Sequence, residues 1–368
     1  MSNTARREHY IGLMSGTSLD GVDSVLAEFS GRIPRVVAAS HITYDDVLRA
    51  DLLALSASGS DELHRAALLA RQLSAHYAEA VHAVLRSTGL GAADIGAIGC
   101  HGQTVRHRPD LGYTLQLANP AQLAESTGIT VVADLRSRDI AAGGQGAPLV
   151  PAFHRAVFAH PDRHVVVANI GGIANLTSIA PGKPVTGFDC GPGNMLMDAW
   201  IHASRGERLD RNGEWALSGK LIAELLDAMM REPFLRQAPP KSTGRDLFGS
   251  DWLAGKLRAE YQAADVQRSL LEFTAESLAL ALESWCMGAQ ELVLCGGGAR
   301  NAALRARLTE RLPALRIGVS DDKGIAAEHV EALAFSWLAR RTMRGEPGNI
   351  PEVTGAAGAR ILGAIYPA

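Results

Sequence analysis

The sequence predicts an α/β protein made of two related domains, and three observations lead to this fold class. The chain has 368 residues, more than a single hydrophobic core usually holds. Apolar strands alternate with amphipathic helices and end in polar clusters, as in sheets that carry a site at their strand ends. A two-stranded hairpin with a glycine-containing turn opens the chain. A similar hairpin follows about 160 residues later, which indicates a duplication.

Composition and charge limit the classes of function. Hydrophobic residues make up 47% and charged residues 20% of the chain, and the formal net charge is -3, so nothing favours a nucleic-acid or membrane-surface partner. No apolar run approaches the roughly 20 residues that span a bilayer, and residues 1–10 do not resemble a signal peptide. The four cysteines show no metal-binding spacing, so we expect reduced, buried thiols in a cytoplasmic protein.

Hydrophobic periodicity predicts the elements of the first half. A long helix is predicted over 61–87, because apolar residues recur there at four-residue spacing before Gly89. These residues are Leu69, Leu73, Tyr77, Val81 and Leu85. Short apolar runs predict strands over residues 10–14, 22–29, 36–43, 95–100 and 129–133.

The glycine-rich segment 141–148 changes the composition sharply, and we take it as the connection between the two halves. Beyond it, a helix is predicted over 195–204, and the region from 214 to 341 is mostly helical. The last strand, 361–365, is expected to return to the first domain, because chain termini are often close together. The predicted domains are therefore 1–140 with about 345–368, and 141–344. The strands predicted for the second half are 165–170, 173–179, 186–190 and 292–295.

The turn of the opening hairpin is the first candidate site. It is rich in Gly, Ser, Thr and Asp, and so offers backbone N–H groups, two hydroxyls and two carboxylates in a small space. This set suits a polyphosphate with its magnesium ion. An ordinary hairpin turn is the alternative.

Three further glycine-rich turns follow predicted strands, at residues 171–172, 191–193 and 296–298. Glycine also serves ordinary turns, but four such turns indicate a ligand that approaches the backbone closely along its length. The first turn, GTSLDG, does not match the dinucleotide-binding pattern GxGxxG, and a Walker loop is absent from the sequence. Nucleotide binding through two hairpins and an adenosine loop fits these turns better.

Asp189 is the candidate general base, because it ends an apolar strand directly before the turn that opens a helix. A structural aspartate at the start of a helix is the alternative. Glu331 lies in an apolar stretch, where a carboxylate either occupies a helix edge or lines a cleft. The loop 241–245, KSTGR, either binds an anion or is merely exposed.

Polar residues that follow two strands of the first half are further candidates. His101 and Gln103 follow the strand 95–100, and the histidine either hydrogen-bonds a polar ligand or has a structural role. Arg136 and Arg138, in the charged cluster that follows the next strand, either clamp a carboxylated substrate or belong to a solvated surface.

Taken together, these segments resemble the anhydro-N-acetylmuramic acid kinases. Seven motifs carry the resemblance in order along nearly the whole chain: GLMSGTSLDGVD at 12–23, HGQT at 101–104, RDIAAGGQGAPL at 138–149, NIGGIAN at 169–175, GPGN at 191–194, PPKSTGR at 239–245 and GGGA at 296–299. The one departure is Cys190, where threonine is expected, and this should affect packing alone.

The resemblance implies two ribonuclease-H-like, actin-like domains around a central nucleotide cleft, with ATP and magnesium. It also implies the reaction, in which ATP phosphorylates the 6-oxygen of 1,6-anhydro-N-acetylmuramic acid while water opens the anhydro bridge. The product, N-acetylmuramic acid 6-phosphate, belongs to peptidoglycan recycling, and a homodimer is expected for the family. Another amino-sugar or hexose kinase, or a non-sugar ATPase on the same fold, is the alternative.

The resemblance assigns roles to the candidate residues. It implies that Asp189 takes a proton from the attacking water and that Asp20 and Asp23 are the candidate magnesium ligands. The residues implied in phosphate binding are Gly16, Thr17, Ser18, Leu19, Asp20, Gly21, Val22 and Asp23, together with Gly171 and Gly172. Gly296, Gly297 and Gly298 are implied near the adenosine. The candidates for the sugar side are His101, Gln103, Arg138 and Glu331, and an arginine there has the lactyl carboxylate to pair with.

Overall fold

The computed structural model describes residues 8–16, 19–244 and 247–368, and contacts within the chain divide it into two compact units. The first unit comprises Met1–Val157 and His329–Ala368, and the second comprises Phe158–Glu328. None of the helices in the described ranges is long and apolar enough to cross a membrane.

The described residues form twelve strands. In chain order they are β1 His9–Ser15, β2 Gly21–Glu28, β3 Arg35–Thr43, β4 Ile95–Arg108, β5 Tyr113–Leu117, β6 Val131–Ala133, β7 Val165–Ile170, β8 Ile173–Ile179, β9 Thr186–Pro192, β10 Glu291–Cys295, β11 Arg316–Val319 and β12 Ala364–Tyr366.

The same ranges contain thirteen α-helices. They are α1 Asp46–Ala54, α2 Glu62–Thr88, α3 Pro120–Thr127, α4 Ser137–Ala141, α5 Val150–Phe158, α6 Met195–Arg205, α7 Glu214–Ser218, α8 Ala223–Met230, α9 Ser250–Ala254, α10 Ala263–Trp285, α11 Ala302–Arg311, α12 Val330–Met343 and α13 Pro351–Thr354. The predicted helix over 61–87 is confirmed as α2, which ends at Gly89 with φ 71°.

The two units share one sheet topology. In the first, the order is β12-β6-β4-β1-β2-β3, and in the second it is β11-β10-β7-β8-β9. In both, an antiparallel three-stranded meander is followed by two parallel strands on the side of its first strand. This shared 3-2-1-4-5 order is the ribonuclease-H-like arrangement, so the α/β class with two related domains is confirmed. The antiparallel pairing of β12 with β6 also confirms that the last strand returns to the first unit.

Helix α12 lies directly on the first sheet because two neighbouring strands carry glycine where it crosses them. Gly12 of β1 is paired with Gly99 of β4. A Cβ atom added at Gly12 would lie 1.8 Å from the Ala332 carbonyl oxygen, and one at Gly99 would lie 2.1 Å from the Phe335 carbonyl oxygen. The backbone of α12 therefore contacts the backbone of the sheet, and a bulkier residue cannot fit.

This packing sets where the compact units end. Helix α12 belongs to the first unit, which resumes at His329, whereas the predicted domain limit falls at 344. The segment 141–148 also lies within the first unit. Gly144 N donates to the Asp139 carbonyl over 2.9 Å, and Gln145 N donates to the Thr354 carbonyl over 2.7 Å. The domain limits read from the sequence stay a prediction, and the contact-based units divide the chain after Val157 and after Glu328.

One predicted strand is longer than its apolar run. The sequence predicts a strand over 95–100 followed by the polar motif HGQT, but β4 continues to Arg108, so the prediction that the motif lies beyond the strand is wrong. The ladder continues because β5 pairs antiparallel with the second half of β4, and this short hairpin partner was not predicted. Gly102, with φ 74°, accommodates an irregularity inside the strand.

Replacing Gly12 with alanine tests the contact between α12 and the first sheet. The added methyl group overlaps backbone atoms that have no rotamer to change, so Gly12→Ala should lower the free energy of unfolding of the first unit by about 3 kcal/mol. Urea denaturation measures this. Gly91→Ala is the matched control, since its Cβ would meet only the Asp94 carboxylate, at 3.8 Å. Equal stability of the two variants would contradict the contact.

Candidate functional site

The turn between β1 and β2 is anchored by a buried leucine. Leu19 N donates to the Gly16 carbonyl over 3.3 Å, Leu19 has φ 57°, and its side chain is buried in the core of the first unit. Asp20, next to it, is exposed. Leu19 therefore presents only its backbone at the turn, because its side chain packs into the core and anchors the turn there. The predicted phosphate-binding residues Thr17 and Ser18 lie outside the described residues.

Strand β4 supports this turn through two buried side chains. Ser15 is paired with Gln103, and the Ser15 hydroxyl donates to the Gln103 amide oxygen. The Gln103 amide nitrogen donates to the Gly16 carbonyl over 3.2 Å. The Nδ1 atom of His101 lies 3.3 Å from the Ser15 carbonyl oxygen. His101 and Gln103, two of the four residues predicted for the sugar side, thus hold the end of β1 and the start of the turn.

A single arginine continues this network behind His101. Arg136 places its Nη2 atom 2.9 Å from His101 Nε2, and its Nη1 donates to the Gly146 carbonyl over 2.7 Å. Nε2 must accept, because the guanidinium can only donate, so His101 Nδ1 carries the proton and donates to Ser15. A hydrogen-bonded chain therefore runs from the loop at Gly146 to the turn after β1.

Arg138, the arginine predicted for the sugar side, lies elsewhere in the first unit. It is exposed and lines a surface cavity of about 320 Å³ with Asp134, Ser137 and Gly363. Helix α4 begins between Arg136 and Arg138, and it turns the two side chains in different directions. Both arginines belong to the same charged cluster of the sequence, so their different placements could not be predicted from it.

Burial and the Arg136 guanidinium lower the pKa of His101 to about 3. The imidazole is therefore neutral near pH 7, which agrees with its one donor and one acceptor contact. It acts as a fixed hydrogen-bonding unit and carries no charge to offer a ligand.

Glu331 approaches the same end of the first unit. It is half-buried in the first turn of α12, one helical turn before Phe335 and on the same face. The ring centroid of Phe335 lies 4.7 Å from that of His101. Of the predicted sugar-side residues, the structure thus brings His101, Gln103 and Glu331 to one region and leaves Arg138 apart.

In the second unit, Asp189 stands in a row of polar residues across neighbouring strands. Asn169 of β7 pairs with Asn175 of β8, and Asn175 pairs with Asp189 of β9. Directly paired residues share one face of a sheet. Two amides and a carboxylate therefore line the same face, and Asn169 and Asn175 join the candidate site. Their place in one strand–turn–strand motif was a signal, but only the pairing register shows that they align with Asp189.

A bulge in β9 directly follows Asp189. The pairing passes from Asn175 opposite Asp189 to Ala174 opposite Gly191, so Cys190 has no partner of its own. Its thiol turns to the core and lies 3.1 Å from the Ala174 carbonyl oxygen. Bulges often redirect side chains next to functional sites. This one changes which face of the sheet the side chains point to, immediately after the predicted base.

The turn at Gly171 and Gly172 closes against the start of α6. Gly193 N donates to the Gly172 carbonyl over 2.9 Å, and Asn194 N donates to the Gly171 carbonyl over 2.8 Å. A Cβ atom at Gly193 would lie 2.3 Å from the Gly171 carbonyl oxygen. The glycines predicted at 171–172 and 191–193 are thus in direct backbone contact.

The loop after β10 joins them. Gly296 has φ 79°, and a Cβ atom there would lie 2.5 Å from the Asn169 amide oxygen. A Cβ atom at Gly298 would lie 2.3 Å from Ile170 Cγ2. Three of the four predicted glycine turns therefore meet at one edge of the second sheet, beside the row that contains Asp189. Gly297 lies between them in the same loop.

The loop 241–244 holds Asp189 from the other side. Asp189 N donates to the Lys241 carbonyl over 3.1 Å, and Thr243 N donates to Asp189 Oδ2 over 3.0 Å. The sequence-based alternatives for this loop, anion binding or exposure, are wrong for Lys241, because its side chain is buried among backbone carbonyls and aromatic rings. Arg245 lies outside the described residues.

The two predicted magnesium ligands differ in their surroundings. Asp20 is exposed, whereas Asp23 Oδ1 lies 2.8 Å from His41 Nδ1 on the neighbouring strand. Within the part of the chain that the structure describes, no three His, Cys, Asp or Glu side chains are grouped to hold a metal ion. Magnesium in kinases takes only one or two carboxylates and completes its coordination with phosphate oxygens and water, so single carboxylates at this turn fit such an ion.

The low pKa of His101 predicts a pH dependence of stability. Its ordinary pKa is about 6.5 in the unfolded chain, so between pH 6.5 and 3 the unfolded state binds a proton that the folded state does not. Stability must fall as the pH falls through this window, by about 2 kcal/mol at pH 5 for this one group. The variant His101→Gln should lose that much less stability than the wild type between pH 7.5 and pH 5 in urea denaturation.

The exposed His202 supplies the control. His202→Gln should show the wild-type loss of stability over the same pH interval. The half-buried His107 and the buried His154, whose pKa values burial also lowers, are present in all three proteins and cancel in the comparison. An identical pH dependence in His101→Gln and wild type would contradict the neutral, buried imidazole.

Comparison with known proteins identifies the family. A family model for anhydro-N-acetylmuramic acid kinase matches residues 8–368. The anhydro-N-acetylmuramic acid kinase of Thiobacillus denitrificans is 57% identical over 370 residues, which cover 99% of both chains. The protein of the same name from Nitrosomonas europaea is 53% identical over 362 residues, which cover 98% of this chain and 100% of that one.

The similarity to solved structures is far lower. The activator of the 2-hydroxyisocaproyl-CoA dehydratase from Clostridium difficile, with bound ADPNP, aligns with a TM-score of 0.47 and 12% identity over 91% of this chain and 96% of that chain. Nothing about activity follows from a likeness of this size. The family model and the two relatives, by contrast, match nearly the whole chain, and they confirm the resemblance read from the seven motifs. The chain therefore belongs to the anhydro-N-acetylmuramic acid kinase family.

Proposed function

We propose that this protein is a carbohydrate kinase that converts 1,6-anhydro-N-acetylmuramic acid, ATP and water into N-acetylmuramic acid 6-phosphate and ADP. The observation that carries the proposal is the full-length match to the family, with 57% identity over 99% of the chain to a relative named for this sugar. Asp189 also supports it: the structure places this residue within β9, which continues to Pro192 beyond the strand end predicted from the sequence, and a backbone N–H holds its carboxylate.

The chemistry of the substrate explains why water takes part. The 6-oxygen of a 1,6-anhydro sugar is already bonded to carbon 1 and carries no proton. If it is to accept a phosphoryl group and remain neutral, its bond to carbon 1 must break. Water supplies the new oxygen at carbon 1 and loses a proton, the electrons of the broken bond stay on the 6-oxygen, and that oxygen attacks the γ-phosphorus. One proton is released overall.

Asp189 is the proposed acceptor of the proton from water. A general base needs a fixed orientation within hydrogen-bonding reach of the proton that it removes. The Thr243 N–H bond to Oδ2 over 3.0 Å supplies the orientation, and the half-buried position leaves the carboxylate partly accessible. Asn175, its partner on β8, offers an amide on the same face that can orient the water or a sugar hydroxyl.

The nucleotide is assigned to the glycine turns. The proposed phosphate-binding residues are Gly16 to Asp23 of the first unit and Gly171 with Gly172 of the second, and Gly296 to Gly298 are proposed near the adenosine. The lack of side chains at these glycines supports this, because a phosphate group can approach the backbone closely there. Binding and positioning of the two substrates account for most of the acceleration expected in phosphoryl transfer.

Asp20 and Asp23 are the proposed magnesium ligands. Asp20 is exposed at the turn, and the Asp23 carboxylate lies beside His41. Bound there, magnesium would neutralise charge on the transferred phosphoryl group. Arg138 and Glu331 stay predictions for the sugar side. We propose a positioning role for His101 and Gln103, since their polar atoms contact Ser15 and Gly16.

The place of the reaction in the cell follows from the substrate. The anhydro sugar is a fragment of peptidoglycan, so we propose that the enzyme acts in peptidoglycan recycling in the cytoplasm. We also propose that it is a homodimer, as expected for the family. The alternatives are a kinase for an ordinary amino sugar or hexose, in which the base deprotonates a sugar hydroxyl and no water is consumed, and an ATPase that needs no sugar. Activity with N-acetylmuramic acid equal to that with its anhydro form would favour the first alternative.

Replacing Asp189 with asparagine tests the proposed base. The amide keeps the size of the side chain but cannot take a proton, so Asp189→Asn should lower kcat roughly 10³-fold. The dissociation constant for ATP should change by less than about twofold, because the side chain is not assigned to the nucleotide. Steady-state kinetics and calorimetric titration with an ATP analogue measure the two quantities.

Asp227→Asn is the matched control, since Asp227 is exposed on α8 of the same unit. This variant should keep wild-type kinetics. Near-normal turnover in Asp189→Asn would rule out the base role, and loss of ATP binding in that variant would show that Asp189 acts on the nucleotide.

A further inference from the structure

Lys241 is buried, although lysine side chains rarely are unless they are paired. It is 9% exposed, and its ammonium group donates to the Phe234 and Leu235 carbonyls, each over 3.0 Å. Both carbonyls belong to the short 3₁₀-helix Pro233–Arg236. The ammonium nitrogen also lies 4.7 Å from the ring centroid of Phe234 and 5.9 Å from that of Phe188. Two carbonyls and two aromatic faces thus form a built site for one positive charge.

The backbone from the carbonyl of this lysine to Thr243 holds Asp189. The Lys241 carbonyl accepts from Asp189 N over 3.1 Å, and Thr243 N donates to Asp189 Oδ2 over 3.0 Å. The direction of the carboxylate therefore depends on where the backbone of residues 241–243 lies. The lysine side chain fixes that backbone, because it extends from the segment into the protein and ends on the 3₁₀-helix.

The charge of Lys241 also acts on its neighbours. Burial lowers the pKa of Lys241, while the nearby Asp189 carboxylate raises it. The same attraction, seen from the carboxylate, stabilises its ionised form. An ionised carboxylate is the form that accepts a proton.

We propose that Lys241 is a positioning residue for Asp189. Its side chain anchors the segment 241–243, so that the Thr243 N–H holds the Asp189 carboxylate in one orientation. Lys241 itself touches no reacting atom in this proposal. The inference rests on the proposed role of Asp189 as the base and adds the residue that orients its carboxylate.

The variant Lys241→Met tests this, because methionine keeps most of the apolar length of the side chain and removes the charge and the donors. It should lower kcat at least about tenfold and change KM for ATP by less than about twofold. The acid limb of the kcat–pH profile should move to higher pH. Loss of the positive charge and a weaker Thr243 N–H bond both raise the pKa of the carboxylate, and the other ionisable group facing Lys241, the Cys190 thiol, is kept in the variant.

Lys183→Met is the control, since Lys183 is exposed in the same unit, and it should keep the wild-type kcat and pH profile. Lys241→Arg, which keeps the charge and the donors, should retain the acid limb of the wild-type profile. If Lys241→Met lowers the melting temperature but leaves kcat of the folded enzyme and the acid limb unchanged, Lys241 is merely structural and the proposal is overturned. If Lys241→Met does not fold, Lys241→Gln is measured instead, with the same expected result and the same overturning one.

Asp189→Asn separates this inference from the proposed function. Near-normal turnover in Asp189→Asn removes the base and with it the role of Lys241. Loss of turnover in Asp189→Asn together with a normal kcat and acid limb in Lys241→Met overturns the positioning role alone and leaves the base in place.

Discussion

Glycine permits close contact between backbones in both units, and these contacts position the candidate residues. In the first unit, Gly12 and Gly99 let α12 lie directly on the sheet. A Cβ atom added at these two glycines would lie only 1.8 Å and 2.1 Å from carbonyl oxygens of α12. In the second, Gly193 and Gly298 bring a helix start and a loop onto the hairpin turn of β7 and β8. No side chain can substitute at such distances, so these glycines fix where the candidate residues lie.

Polar side chains inside each unit also hold the candidate residues in place. Arg136 and His101 form a chain of hydrogen bonds to Ser15 in the first unit, and Lys241 anchors the loop that holds Asp189 in the second. In each case a charged side chain makes several hydrogen bonds inside the unit, and this network ends at a candidate residue. Rigid support of this kind is what a site needs when catalysis depends on positioning.

The sequence predicted the hairpins, the helix α2 and the glycine turns, because alternating apolar runs, four-residue spacing and glycine have direct local meanings. It could not predict contacts that depend on register or on the start of a helix. The alignment of Asn169 and Asn175 with Asp189 requires the strand pairing, including the bulge at Cys190. The choice of Arg136 over Arg138 requires the beginning of α4. The burial of Lys241 requires the 3₁₀-helix at 233–236, which no periodicity in the sequence marks.

Isotope labelling shows whether water opens the anhydro bridge while the 6-oxygen receives the phosphoryl group. A single turnover in oxygen-18 water, quenched at once and analysed by mass spectrometry, should place one labelled oxygen at carbon 1 of the product sugar and none in its phosphoryl group. Unlabelled product held in the same water for the same time corrects for exchange at carbon 1. Label no greater than this correction, or label in the phosphoryl group, would contradict the account.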